Sequence, residues 1–110
     1  MPVNLNSISY RSGANADLIF ARSKPTFVNA AVLSARAEAA VAVPAGASVC
    51  IFSGDGDYYV RPDASAAVPA ANVADGSAPE LNPAQWDVRD VQSLHIIAPD
   101  DAVVTLSFYR

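Results

Sequence analysis

Ser93-Leu94-His95-Ile96-Ile97-Ala98-Pro99-Asp100-Asp101-Ala102-Val103-Val104-Thr105-Leu106-Ser107-Phe108-Tyr109 carries the strongest structural signal in the chain. In its second half Val103, Thr105, Ser107 and Tyr109 alternate with Val104, Leu106 and Phe108. A two-residue period of this kind buries one face of a strand and leaves the other open. The first half is a shorter β-branched run. Pro99 fixes φ and offers no N–H to a ladder, so it ends one strand and begins a reversal. Two antiparallel strands joined as a hairpin are the expectation for this stretch.

Upstream, Ser48-Val49-Cys50-Ile51-Phe52-Ser53 and Tyr58-Tyr59-Val60-Arg61 flank Gly54-Asp55-Gly56-Asp57. Strand, glycine-acid turn, strand again predicts a hairpin, because glycine supplies the positive φ of tight turns. Earlier still, Ser34, Arg36 and Glu38 alternate with Ala35, Ala37 and Ala39, and the run continues through Val41 and Val43 to Pro44. A strand over residues 34–43 fits this better than a helix capped by Asn29, since it ends on β-branched residues entering Pro-Ala-Gly. Val43-Pro44-Ala45-Gly46-Ala47 and Ala98-Pro99-Asp100-Asp101-Ala102 both set Pro-x-x-Ala between strands, which suggests two similar corners of one sandwich. The fold class is therefore all-β, a small antiparallel β-sandwich.

Two regions lack this regularity. Residues 62–86 hold mostly Pro, Ala, Asn, Asp and Gly, a connection long enough to be a functional loop or a segment packed on a partner. Within it, residues 79–86 could form one helical turn pinned to the body by Leu81 and Trp86, with Trp86 as a plug beneath the loop. Residues 1–33 sustain no period and are expected to be an extended arm with one or two short strands, leaving residues 34–110 as the sandwich.

Charge divides the chain the same way. Up to residue 36, Arg11, Arg22, Lys24 and Arg36 face the single acid Asp17, whereas the rest holds three basic residues and every other acid. A basic arm thus precedes an acidic body, and a net charge of −4 argues against general nucleic-acid binding, which needs a basic footprint. No stretch approaches membrane-spanning length, and the N-terminus has no signal-peptide pattern. A soluble protein made in a cytoplasm is the expectation.

The residue types that usually carry chemistry sit in structural settings. Cys50 lies between Val49 and Ile51, where a thiol is a small buried hydrophobe rather than a nucleophile. His95 alternates with Leu94 and Ile96 on a strand, has no companions for a metal site, and no Gly-x-Ser-x-Gly elbow accompanies it. Asp55, Asp57, Asp100 and Asp101 sit in turns, where aspartate bonds backbone N–H groups. No catalytic residue, metal ligand or cofactor motif is expected, and the chain is read as a non-enzyme. Tyr58 and Tyr59 must point to opposite faces of their strand, so one serves the core while the other faces outward, and Tyr59, with Leu81 and Trp86, is a candidate for partner contact. The arm residues Arg11, Arg22, Lys24 and Arg36 are the remaining candidates.

Val43-Pro44-Ala45-Gly46, the run Ser53-Gly54-Asp55-Gly56-Asp57-Tyr58-Tyr59-Val60-Arg61, Val68-Pro69-Ala70, Asp75-Gly76-Ser77, Glu80-Leu81-Asn82-Pro83 and the ending Ile97-Ala98-Pro99 to Phe108-Tyr109 resemble small structural proteins of tailed bacteriophages. The likeness covers roughly residues 37–110. It implies a jelly-roll-like decoration, or cement, protein on the capsid exterior, locking major capsid subunits together, often as a dimer or trimer, with no catalytic residues. On that view the basic arm lies along acidic capsid surface. The alternative is a receptor- or glycan-binding module at a phage tail tip, using Tyr58 or Tyr59, Trp86 and the acidic turns.

Overall fold

The computed structural model describes residues 23–110, which form two four-stranded antiparallel sheets and no helix. In chain order the strands are β1 (Phe27–Leu33), β2 (Ala39–Ala42), β3 (Val49–Gly54), β4 (Tyr59–Pro62), β5 (Glu80–Leu81), β6 (Gln85–Asp87), β7 (Ser93–Ile97) and β8 (Ala102–Tyr109). Sheet I has the order β1-β8-β3-β6 and sheet II the order β2-β7-β4-β5. The β-sandwich expected from the sequence is the observed fold.

β8 organises the core. Ala102, Val104, Leu106 and Phe108 are buried on its inner face, as the alternation requires. Cys50 and Phe52 of β3 and Ala31 and Leu33 of β1 extend that face across sheet I, and Leu94, Ile96 and Val60 meet it from sheet II. Burial pushes the Cys50 thiol up to about 12, so it is a protonated, inert part of the core. Tyr58 is the inward member of the tyrosine pair: its O–H donates to Pro83 O (2.7 Å), and its ring approaches Gly54 so closely that a Cβ there would lie 2.8 Å from ring carbons.

The connections differ from expectation. Neither predicted hairpin forms, because β3 and β4 lie in different sheets, as do β7 and β8. All consecutive strands except β4 and β5 alternate between the sheets, so the Gly-Asp turn and both Pro-x-x-Ala turns are corners that carry the chain over the core edge. A four-residue link spans the ~10 Å between packed sheets as readily as the ~4.8 Å between paired strands. Only the first proline corner is a closed turn, with the Ala47 N–H donating to Pro44 O (3.1 Å) and Gly46 at φ 82°.

The strand expected over residues 34–43 is cut short. Asp101 Oδ1 accepts the Ala35 N–H (2.8 Å), Arg36 takes φ 59°, and Ala37 N–H bonds Ser34 O, so the chain turns there and pairs only from Ala39. The sandwich also begins earlier than residue 34: β1, inside the segment read as an arm, pairs with β8 over its full length. The helical turn expected at residues 79–86 is instead β5 and β6, separated by Asn82 at φ 49°.

Candidate functional site

The two outer faces of the sandwich are built differently. On sheet II, Ser93 and His95 stand two residues apart on β7 and therefore share a face. His95 Nε2 lies 3.1 Å from Ser93 Oγ, and His95 Nδ1 lies 3.1 Å from Glu38 Oε2. A carboxylate only accepts, so Nδ1 carries a proton, and in that neutral tautomer Nε2 would accept from the Ser93 hydroxyl. This is the donor order of a Ser–His–acid relay.

The surroundings use it as a clasp. Glu38 Oε2 also accepts the Ala66 N–H (2.5 Å), which ties the segment after β4 down onto the sheet. Asp63 Oδ1 accepts the N–H groups of Gln92 (2.9 Å) and Ser93 (3.0 Å), and Asp63 N–H donates to Ser93 O. The backbone donors beside Ser93 Oγ thus point at a carboxylate, where an acyl-transfer site needs them aimed at an oxyanion. Arg61 Nη1 bonds Ser65 O in the same segment. Ala66 in that segment and the outward-facing Ile97 of β7 are buried although they lie outside the main core.

Sheet I presents the opposite surface. The outward residues of its first three strands fall in register as Val28–Ser107–Ile51, Ala30–Thr105–Ser53 and Val32–Val103, with Tyr109 beside Val49. None is charged. Val28, Val32 and Val103 are 53%, 79% and 39% exposed; Val32 faces Val103 directly across β1 and β8, and Val28 lies opposite Ser107 on the same face, with the exposed Ala30 between it and Val32. The first charge is met on β6, where Asp87 faces Val49 and pairs with Arg89; their hydrogen bonds hold the Asp87 carboxyl down at about 2.

The residues singled out from the sequence divide among several places. Tyr59 and Leu81 are cross-strand neighbours on sheet II, Tyr59 half-buried and Leu81 half-exposed. Trp86 stacks edge-on against Phe52 (centroids 5.5 Å apart) and donates from Nε1 to Glu80 Oε1 (2.7 Å), bridging the edge strands β5 and β6 of the two sheets. Lys24 and Arg36 are exposed at opposite ends of β1. Arg11 and Arg22 lie outside the described residues. Sequence reasoning missed the uncharged face because it emerges only when β1 and β3 are set on either side of β8.

An open hollow of about 510 Å³ lies at the Gly54–Asp57 corner, lined in part by Asp55, Tyr58 and Asn82. Tyr58 is buried there and its hydroxyl is engaged. Among the described residues no cluster of three or more His, Cys, Asp or Glu side chains is placed to hold a metal ion, and no helix is long and apolar enough to cross a membrane. Comparison with protein families, with curated proteins and with solved structures finds no match to this chain.

Proposed function

We propose that this chain is a structural protein of a tailed-phage head, a decoration protein that seats the outer face of sheet I on major capsid subunits on the capsid exterior. The observation that carries this reading is the uncharged outward surface of β1, β8 and β3, on which Val32 pairs with Val103, Val28 lies farther along the same face, and all three are open. An open, uncharged face of that kind marks a protein-contact site rather than a solvated one. Lys24 and Arg36 flank the patch and supply charge to steer it onto acidic subunits. The phage setting comes from the sequence resemblance. The tail-tip reading has less support, because a sugar platform needs an open aromatic face and the aromatic residues lining the hollow at the Gly54–Asp57 corner, Phe52 and Tyr58, are both buried.

Quantitative mass spectrometry of purified virions tests the proposal. It expects a copy number comparable with that of the major capsid protein, and loss of the chain from particles carrying Val32→Lys. A few copies per virion would favour the tail tip, and complete absence would end the structural reading.

A further inference from the structure

Three of the four sheet edges are short: β6 spans Gln85–Asp87, β2 Ala39–Ala42 and β5 Glu80–Leu81. Short and charged edges are how sandwiches avoid edge-to-edge pairing. β1 is the exception. It spans Phe27–Leu33, contains no charge and no proline, and among the described residues pairs on one side only.

The hydrogen-bond pattern fixes which groups β1 turns outward. Thr26 N–H donates to Phe108 O (2.8 Å), so the Phe108 carbonyl faces β1, while Ser48 N–H donates to Tyr109 O (2.7 Å), so that of Tyr109 faces β3. Peptide groups alternate in direction along an antiparallel strand. Even-numbered residues of β8 therefore bond β1, and through the register Phe27↔Phe108 to Leu33↔Ala102 they bond its odd-numbered residues. Val28, Ala30 and Val32 direct their N–H and C=O groups to the edge that is unpaired among the described residues.

We infer that this edge is a self-complementary interface: two copies join β1 to β1, antiparallel, about a two-fold axis at Ala30. That axis makes Ala30 its own partner and sets Val28 of each copy against Val32 of the other. All three edge residues then fall in hydrogen-bonded pairs, and the exposed valines meet in pairs on the outer face. No charged side chain lies within the paired strands. Just outside the paired strands each copy carries the exposed Lys24 at one end and Arg36 at the other, with Asp101 holding the Ala35 N–H and Asp55 the Val103 N–H at the Arg36 end. An isologous contact of this kind closes on itself and goes no further than a dimer.

The inference goes beyond the proposed capsid role and stands or falls without it. The ladder is about 24 Å long at ~3.4 Å per residue, a small interface, so association should depend on concentration. Sedimentation velocity of the full chain over a dilution series is expected to show a monomer–dimer equilibrium. Ala30→Lys and Ala30→Glu, at an exposed side chain, should each weaken dimerisation at least tenfold by setting like charges directly opposite. An equimolar mixture of the two should recover the dimer. A parent chain that stays monomeric throughout, an Ala30→Lys chain that dimerises as well as the parent, or a mixture that stays monomeric would each overturn the inference. Hydrogen exchange on the parent is independent of any variant's folding: protection of the Val28, Ala30 and Val32 amides should rise with concentration. Protection that is full and independent of concentration would mean the edge is already covered within one chain, and would also overturn it.

Discussion

The outer faces of the two sheets solve the same problem in opposite ways. Sheet II turns Ser93, His95 and Arg61 outward and closes over them with its own chain, using Glu38 and Asp63 to hold Ala66, Gln92 and Ser93 by their N–H groups. Sheet I turns Val28, Val32, Val103, Thr105 and Ile51 outward and leaves much of that surface open. Polar groups on a sheet face find partners within one chain because each bond is local and directional. An uncharged face has no such internal remedy, and its remaining gain is available only through another surface. Stability should therefore be concentrated on the sheet II side and association on the sheet I side.

The largest effect sets the scale for both faces. Phe108→Ala removes a side chain 1% exposed at the centre of the shared core and should cost about 3–5 kcal/mol in urea unfolding, as large aromatic truncations do. Glu38→Ala attacks sheet II alone, leaving the Ala66 N–H and His95 Nδ1 without their acceptor, and should cost about 1–3 kcal/mol. A loss under about 0.5 kcal/mol would mean the segment after β4 is not held by this clasp.

An alkaline titration separates the core from either face. Cys50 has an unperturbed value of 9.0 and a folded value of about 12, raised by burial. The buried neutral thiol therefore contributes stability that is fully present below pH 9.0 and is lost as pH rises from there toward about 12. Tyr58, raised mainly by burial, acts in the same direction. Urea midpoints should be unaffected by these two groups up to about pH 9 and fall above it, and Cys50→Ala should make the fall shallower. An unchanged slope in that variant would remove the thiol from the account. The smallest stability effect belongs to sheet I: Val32→Lys, at a side chain 79% exposed, should change unfolding free energy by no more than about 0.5 kcal/mol while it impairs association. A large destabilisation would make that face part of the fold rather than a contact surface.

The strands themselves were legible wherever alternation and β-branched residues coincide, as in β8, β7 and β3. What they pair with was not. The links at residues 55–58 and 98–101 carry turn chemistry that suits a hairpin and an inter-sheet corner equally, and only the completed core selects the corner. The turn at Arg36 was hidden because its cause, the Asp101 carboxylate, comes from the far end of the sequence. The same distance hid Glu38 from His95, although the shared face of Ser93 and His95 follows from their spacing. The division of Tyr58 and Tyr59 between inside and outside was legible, since adjacent strand residues must diverge. Partner-binding surface was the least legible, because Val28, Val32 and Val103 become a patch only through the β1–β8 register.

Hydrogen exchange of the chain free and bound to stripped capsids compares the two faces in one experiment. New protection should appear along β1 and β8, at residues 28–32 and 103–107, with residues 63–79 exchanging as they do in the free protein. Protection that appears on residues 63–79 and leaves β1 and β8 unchanged would place the contact on sheet II and contradict the central claim.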